Sequence, residues 1–260
     1  MIILAFWGLT RSIKYTAESI RRHVFHQLPP HLVFVHTYSS ANEYKNARAH
    51  EFAHSLEADV APLRPFKYIV DDLDQVKRML NLKQYHTQPD PWDSNYETLD
   101  NFVLAMYSKY RVTKLIESCN LSPSKIIFLR PDVHYTQSIR PVLELASPHA
   151  WVIPNFQLYS GFNDRFCIAS PYTYLQYGCI FPFLLVYSRK KQLHSETIYA
   201  DFAKQQRITL IYADFFFQRI RIGGEPDVRD LHRSPRGPRP TTQSKQPAGP
   251  TLGRLLLRHG

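Results

Sequence analysis

The chain has 260 residues, of which 44% are hydrophobic, 13% aromatic and 21% charged. This composition can fill a buried core, and it excludes collagen-like, coiled-coil and intrinsically disordered chains. The formal net charge is +10, but residues 233–260 supply six basic residues and no acid, so residues 1–232 carry 26 basic and 22 acidic residues, or +4. A body of that charge gives little support to nucleic-acid binding.

The cysteines and the apolar segments bear on the cellular compartment. Cys119, Cys167 and Cys179 are odd in number, widely spaced and without a CxxC pair, which predicts free thiols in a reducing compartment. The N-terminus has no basic segment, its apolar run stops at Gly8, and no stretch approaches the ~20 apolar residues of a membrane helix. We expect a cytoplasmic protein without a transmembrane segment.

Short apolar runs alternate with helical patterns along the chain. Predicted strands are Ile2–Trp7, His31–Tyr38, Phe66–Val70, Lys125–Leu129, Trp151–Ile153, Phe166–Ala169 and Ile208–Tyr212. Predicted helices cover residues 12–27 with Thr10 as the cap, residues 75–82, residues 97–119, residues 171–188 with a break at Pro182, and residues 195–206.

The order of these elements predicts the fold class. Alternating strands and helices are typical of an α/β domain with a mainly parallel central sheet flanked by helices. We expect a single such domain over residues 1–232. Residues 233–260 are rich in Pro, Gly and basic residues without apolar periodicity, which predicts a disordered basic tail.

Polar residues follow the predicted strands where each one ends. Gly8 and Arg11 follow the first strand, Thr37 lies near the end of the second, Asp72 follows the third, and residues 130–134 follow the fourth. In open parallel sheets, ligands bind beyond the carboxyl ends of the strands. The sequence therefore predicts a ligand site at this edge of the sheet.

One candidate within that site is a metal centre. Asp132 and His134 lie two positions apart, so an extended chain presents both on one side. A carboxylate with an imidazole suits Mn²⁺ or a similar divalent ion, which could bridge two phosphates. The alternative is a salt bridge between Asp132 and Arg130, with His134 facing solvent.

Two further groups of residues have functional and structural interpretations. Asp164 and Arg165 lie between aromatic residues, where a partly desolvated carboxylate can act as a general base; the alternative is a structural turn. Arg219 and Arg221 alternate along a strand ahead of two glycines, which suits phosphate oxygens; the alternative is a solvated edge strand.

The acids that follow the third predicted strand are ambiguous in the same way. In the cluster Asp71-Asp72-Leu73-Asp74, Asp74 suits the N-terminal cap of a helix, and Asp72 is a candidate for contact with a nucleoside. The dehydrogenase, P-loop, serine-hydrolase and HExxH metalloprotease motifs are absent from the sequence.

Taken in order, several segments resemble one family. They are FWGLTRS, LVFVHTY, NFVLAMYSKYRVTKLIE, KIIFLRPDVHY, GFNDRFCIAS and QRIRIGG, and the resemblance is clearest in LRPDV and NDRF. They are similar to GT-A-fold glycosyltransferases of large algal viruses (those that build capsid glycans), which have plant and bacterial relatives. The resemblance spans roughly residues 1–225 and excludes the tail.

The resemblance implies transfer of a sugar from a uridine diphosphate sugar to a glycan or glycoprotein, with Mn²⁺ or Mg²⁺ as cofactor. UDP-xylose and a capsid-linked acceptor are the specific implied substrates, and inversion is the expected stereochemistry. The family's Asp-x-Asp metal motif is Arg130-x-Asp132 here, so its first acid is missing.

The same resemblance implies roles for individual residues. Asp164 is the catalytic base, and Asp132 with His134 holds the metal. The donor-binding residues are Gly8, Arg11, Thr37, Asp72, Arg130, Arg165, Arg219 and Arg221.

Two other functions stay open at this point. A glycan-binding protein without catalysis is compatible with the missing acid. A nucleic-acid-binding module is compatible with the basic tail and the aromatic loops.

Overall fold

The structure is a computed structural model that describes residues 1–159 and 161–231. Its strands are β1 (Ile2–Trp7), β2 (His31–Ser39), β3 (Tyr44–Asn46), β4 (Glu51–Ala53), β5 (Lys67–Asp72), β6 (Lys125–Leu129), β7 (Val133–Tyr135), β8 (Ala150–Pro154), β9 (Cys167–Ala169), β10 (Thr209–Ala213) and β11 (Phe217–Arg219). Its helices are α1 (Ile13–His23), α2 (Leu73–Leu80), α3 (Glu97–Glu117), α4 (Arg140–Leu143), α5 (Tyr174–Gly178), α6 (Phe181–Ser188), α7 (Ser195–Gln205) and α8 (Val228–Leu231). The expected tail at 233–260 lies outside the described residues.

The central sheet has the strand order β10-β8-β9-β6-β1-β2-β5. Neighbouring strands are parallel, except that β9 runs antiparallel to both β6 and β8. The predicted α/β class with a mainly parallel sheet and flanking helices is confirmed. From β1 the chain builds outward through β2 and β5, then returns to place β6 on the other side of β1. The strand order therefore reverses between β1 and β6, where open α/β sheets bind ligands.

The six residues of β1 supply side chains to both layers of the core. Ile3, Ala5 and Trp7 join the cluster that includes the buried face of α3, and the intervening side chains join the cluster that includes α1. Successive side chains of a strand point to opposite faces, so a strand covered on both faces is apolar throughout. The continuous apolar run of the sequence therefore corresponds to a central buried strand.

The predicted helices are largely confirmed. The pattern at 97–119 corresponds to α3, in which Leu99, Phe102, Val103 and Met106 are buried. Pro182 lies in the first turn of α6 and separates α5 from α6 within the predicted segment 171–188. Proline lacks an N–H group, so it fits the first turn of a helix but not the interior.

Two small sheets were not predicted. β3 pairs antiparallel with β4, and β7 pairs antiparallel with β11, with His134 opposite Gln218. Each strand has three residues, which is too short for an alternating pattern to stand out in the sequence. These strands carry Tyr44, Glu51 and Arg219 towards the end of the central sheet.

The cap of α2 differs from the prediction. Asp72 caps the helix, because its Oδ1 accepts a hydrogen bond from the Gln75 N–H at 2.6 Å. Asp74 accepts instead from the Ser40 hydroxyl at 2.8 Å. The prediction that Asp74 is the cap was wrong because β5 extends through Asp72, so the helix starts earlier than the sequence indicated.

The Thr10 side chain also has another partner. Its hydroxyl accepts from the Asp59 N–H at 3.2 Å, and the residue preceding α1 is Ser12, whose side chain makes no capping hydrogen bond. The prediction of Thr10 as the helix cap was therefore wrong. Thr10 ties the loop after β1 to residue 59 instead.

The cysteines are free, and Cys167 is fully buried. Burial raises the pKa of the Cys167 thiol well above its usual value. Within residues 1–159 and 161–231, no helix is long and apolar enough to cross a membrane.

Candidate functional site

A cleft of about 420 Å³ opens where the strand order reverses, at the carboxyl ends of β1 and β6. Gly8 contributes from the turn after β1 and Arg130 from the end of β6. The cationic side chains of the wall are Arg11, Arg48, Arg130, Arg165, Arg219, Arg221 and Arg229. The acidic residues of the described wall are Asp164 and Glu196. We call this surface the arginine wall.

Asp132 lies behind the arginine wall and is 0% exposed. Arg130 donates to both of its oxygens, from Nε to Oδ1 at 2.8 Å and from Nη2 to Oδ2 at 2.6 Å, and Arg11 Nη2 donates to Oδ2 at 3.4 Å. Burial raises the pKa of the Asp132 carboxyl, but Arg130 and then Arg11 lower it more, so the pKa lies well below its usual range. The carboxylate is therefore ionised and fully engaged by guanidinium groups.

The segment after β10 adds three arginines, each paired with a buried acid. Arg219 donates to Asp230 from Nε at 2.9 Å and from Nη2 at 2.7 Å. Arg229 donates to the two oxygens of Asp227 at 2.9 and 2.7 Å, and Arg221 also pairs with Asp227. These pairs fold the C-terminal segment across the end of the sheet.

Glu51 of β4 links Arg11, which follows β1, to Arg221, which follows β11. It lies 3.0 Å from Arg11 Nε and 3.5 Å from Arg221 Nη1, and it accepts from the Ile222 N–H at 3.1 Å. Burial, together with the charges of Arg219 and Arg11, lowers the pKa of Arg221 to about 10, while Glu51 opposes them. The hairpin β3–β4 therefore positions arginines that come from opposite ends of the chain.

Glu196 organises another part of the cleft, at the start of α7. Arg165 Nη2 lies 3.8 Å from its Oε1, and His194 Nδ1 lies 3.1 Å from its Oε2. Burial raises the pKa of Glu196, but the hydrogen bond from His194 and the charge of Arg165 lower it. His194 in turn stacks on Trp92 with ring centroids 5.3 Å apart, and the Arg48 guanidinium lies 5.6 Å from the Trp92 ring.

Asp164 is held through its backbone by a buried lysine. Lys109 Nζ donates to the Asp164 carbonyl at 3.1 Å and contacts the Tyr199 hydroxyl at 2.8 Å; Tyr177 donates to the same carbonyl at 2.7 Å. The rings of Trp7, Tyr177 and Tyr199 lie 4.1, 4.4 and 4.5 Å from Nζ. Burial lowers the pKa of Lys109 to about 7. No hydrogen bond in the described part of the chain involves the Asp164 carboxylate, which faces the cleft.

A hydrogen-bond chain fixes the turn after β1. The Gly8 N–H donates to Ser108 Oγ at 2.8 Å, the Ser108 hydroxyl contacts His36 Nδ1 at 2.7 Å, and His36 Nε2 contacts Asp71 at 3.0 Å. Arg111 closes the chain by donating to both Asp71 oxygens at 2.9 and 3.1 Å. Gly8 has φ +97, a backbone conformation that favours glycine.

Most of the predicted site residues meet in this cleft, though they come from distant parts of the sequence. Those that line it are Gly8, Arg11, Arg130, Asp164, Arg165, Arg219 and Arg221. Asp132 lies directly behind them. These predicted residues therefore lie together at the carboxyl ends of the strands, as expected.

Besides Asp132, three predicted residues do not line the cleft. Thr37 is buried in β2, and its hydroxyl has no partner among the described residues. Asp72 caps α2. His134 lies on β7 opposite Gln218, and burial followed by the charge of His23 lowers its pKa.

The residues present do not fit the divalent cation that Asp132 and His134 predicted. Both Asp132 oxygens accept hydrogen bonds from guanidinium groups, and His134 is outside the cleft wall. The described residues contain no group of three or more His, Cys, Asp or Glu side chains that could hold a metal ion. Hard divalent cations need several oxygen ligands with free lone pairs, and the described wall offers two acids, Asp164 and Glu196, among seven guanidinium groups.

Sequence reasoning missed several important residues, of which Lys109 had a detectable signal. It follows Phe102 by seven positions and Met106 by three, so it falls on the apolar face of α3. A lysine on such a face needs buried partners. Glu51 gave no such signal, because its partners Arg11 and Arg221 are distant in sequence. Arg48 and Arg229 were also missed, since nothing in their local sequence pattern points to the cleft.

Comparison with known proteins finds weak structural likeness only. No family profile matches the chain, and no curated protein matches it in sequence. It is similar to apo mouse xyloside xylosyltransferase 1 at 12% identity and a TM-score of 0.41, covering 82% of this chain and 85% of that one. It is similar to the galactosyltransferase LgtC in complex with donor and acceptor sugar analogues at 10% and 0.45, covering 82% and 73%.

It is also similar to the apo form of the glycosyltransferase GlyE of Streptococcus pneumoniae TIGR4, at 9% identity and a TM-score of 0.41, covering 81% of this chain and 44% of that one. Likeness at these scores establishes neither a family nor an activity. The fold is therefore defined by its strand order, and the function has to be argued from the cleft.

Proposed function

We propose that the chain is a glycosyltransferase that moves a sugar from a nucleoside diphosphate sugar, with uridine as the expected nucleoside, to a hydroxyl group of a glycan acceptor. The observation that carries the proposal is the arginine wall at the reversal of strand order, with the Asp164 carboxylate facing the same cleft. Guanidinium forks match phosphate oxygens in geometry and charge. The segments LRPDV and NDRF, which carry the sequence resemblance, both contribute to this wall.

The proposed donor contacts follow from the geometry of the wall. Contacts to the diphosphate come from the guanidinium N–H groups of Arg11, Arg130, Arg219 and Arg221. The turn at Gly8 brings backbone close to the Arg130 guanidinium, since a Cβ built on Gly8 lies 3.9 Å from Arg130 Cζ. A phosphate held by Arg130 is therefore also near the backbone of this turn.

The proposed chemical step is a single displacement at the anomeric carbon. The acceptor oxygen forms the new bond to that carbon, and the bond to the donor phosphate oxygen breaks. Its electron pair leaves with the diphosphate, whose charge the arginines stabilise. Asp164 takes the proton of the acceptor hydroxyl, so the configuration inverts.

Asp164 suits the role of base because its backbone is fixed and no described residue forms a hydrogen bond with its carboxylate. Two donors, Lys109 and Tyr177, hold its carbonyl oxygen from below the cleft. Holding a catalytic group by its backbone leaves the side chain available to substrate while restricting its position.

The experiment that tests this function measures release of free nucleoside diphosphate from a panel of uridine and guanosine diphosphate sugars, with glycan acceptors and without. The proposal expects release from one donor, and loss of that release in Asp164→Asn. The matched control is Asp214→Asn, since Asp214 is exposed and lies outside the cleft wall. If no donor is consumed and no nucleotide binds, the proposal fails, and glycans and nucleic acids become the ligands to test.

A further inference from the structure

The Asp132 carboxylate is not available to a metal ion. Binding a cation there requires breaking the hydrogen bonds from Arg130 at 2.8 and 2.6 Å in a site with 0% exposure. Arg130 would then lose its partner while lying beside a divalent cation, and both effects are unfavourable in a desolvated site. The geometry therefore favours the ion pair over a metal–carboxylate bond.

The charges of the site are arranged in two layers. The arginines line the cleft, whereas four of the acids that pair with them, Glu51, Asp132, Asp227 and Asp230, are buried and do not line it. A ligand in the cleft therefore faces seven guanidinium groups and, among the described lining residues, the two acids Asp164 and Glu196. Such an arrangement attracts anions and repels cations.

Arg48 adds positive charge without a carboxylate of its own. No acid lies within ion-pair distance of it in the described part of the chain, and its guanidinium lies 5.6 Å from the centre of the Trp92 ring. Burial lowers the pKa of Arg48, and the charges of Arg229 and Arg219 lower it further. The pKa of Arg221 is lowered in the same way, to about 10, by burial and then by the charge of Arg219. In both cases burial has the largest effect and neighbouring guanidinium charges add to it, although Glu196 opposes the shift at Arg48 and Glu51 at Arg221. An anion in the cleft would stabilise both cations.

We propose that the cleft binds the diphosphate of its donor through the arginine wall and without a bridging divalent cation. This inference rests on the proposed function and deepens it. Arg130 occupies the position where the Asp-x-Asp pattern has its first acid, and with Arg11 it takes over the neutralising role that a cation would have. The donor specificity of the site is then for two adjacent phosphates, because several guanidinium groups from different elements converge on the same space.

The test is calorimetric binding of uridine diphosphate and of inorganic pyrophosphate to the full chain, each with EDTA and with MnCl₂. We expect the same dissociation constant under both conditions. Arg48→Gln should weaken both ligands about tenfold, since one charged hydrogen-bond donor is lost. Arg48 has no carboxylate partner among the described residues, so this variant leaves no described acid unpaired. The matched control Arg140→Gln, at an exposed arginine outside the cleft wall, should bind as the wild type does.

The outcomes separate this inference from the proposed function. Binding that requires Mn²⁺, or sugar transfer that EDTA abolishes, overturns the inference and leaves the transferase intact. Cation-independent binding of both ligands without turnover of any donor supports the arginine site and removes the transferase. Failure of both ligands to bind under either condition overturns both.

Discussion

The cleft contains two kinds of buried cation that are stabilised in different ways. In the arginine wall, the Arg130, Arg219 and Arg229 guanidiniums each face a buried carboxylate at 2.6–2.9 Å. Lys109 has no carboxylate partner within residues 1–159 and 161–231, and its ammonium contacts a carbonyl oxygen, a phenol and three aromatic rings. A guanidinium stays charged in such a site and presents a planar fork, whereas a desolvated ammonium readily loses its proton.

The comparison explains why each cation lies where it does. The arginine wall keeps a fixed positive charge towards the cleft, which suits an anionic ligand. Lys109 lies beneath the cleft, and its Nζ supports the backbone of Asp164 rather than facing a ligand. The arginine wall therefore binds the ligand, whereas Lys109 positions Asp164. Single substitutions should separate these two roles.

The largest effect on activity is expected at Asp164, whose backbone Lys109 holds. Asp164→Asn keeps the shape of the side chain but removes the base, so we expect turnover to fall about 10²–10⁴-fold. The dissociation constant for uridine diphosphate should not change, because the arginine wall is intact. Initial rates and calorimetry on the same preparation check both. Full activity in this variant would remove Asp164 from the mechanism.

The next effect concerns the stability of the arginine wall. Arg130→Met leaves the Asp132 carboxylate with only the weaker contact to Arg11, and breaking one partner of a buried pair costs about 3–5 kcal/mol. Urea denaturation should show this loss. The double variant Arg130→Met/Asp132→Leu removes both charges and should recover part of it. A double variant no more stable than the single one would contradict the assignment of a buried pair.

A smaller effect depends on pH and is specific to Lys109. Its folded pKa, about 7, is below the reference value of 10.5, so the folded state must either release the proton or bury the charge. The resulting penalty is complete below about pH 7 and fades as the pH rises towards 10.5, because the unfolded state then also loses its proton.

The free energy of unfolding of the wild type should therefore rise from about pH 7 to about pH 9 relative to Lys109→Met. Urea denaturation of both proteins across this range measures the difference. Loss of the Lys109 hydrogen bonds lowers the free energy of unfolding of Lys109→Met by the same amount at every pH. Only the change of the difference with pH therefore reports the titration of Lys109. Parallel profiles would show that Lys109 is not a buried titrating group.

The smallest effect on stability is expected at Asp72, which lies outside the arginine wall and away from Lys109. Asp72→Ala removes the cap of α2 and should cost about 1 kcal/mol of stability. Binding of uridine diphosphate should be unchanged, because Asp72 does not line the cleft. Weaker binding in this variant would restore the nucleoside contact that the sequence predicted.

The sequence predicted the central sheet well because the signal there is local. β1 is apolar at every position because it is covered on both faces, and α3 has a clear apolar stripe. A strand at Arg219 was predicted, but its pairing with β7 was not, and β3 and β4 were missed, since so short a pairing depends on distant partners rather than on its own pattern.

The location of the site was predictable, but its internal pairing was not. Gly8 and Arg130 follow apolar strands, so both were expected at the same edge of the sheet. Glu51 and Arg221 are 170 positions apart, and no local pattern connects them. For Asp132 the sequence offered a salt bridge with Arg130 as the alternative to a metal site with His134, and the structure has that salt bridge. The second guanidinium on the same carboxylate, from Arg11, was not predicted because it is 121 positions away.

The most direct test of this account is a crystal structure of the protein grown with uridine diphosphate and MnCl₂, with anomalous diffraction measured for manganese. The account predicts a diphosphate in the cleft against Arg130 and the arginines of the C-terminal segment, and no anomalous peak beside Asp132. A manganese ion between Asp132 and the diphosphate, or a nucleotide bound elsewhere on the protein, would contradict it.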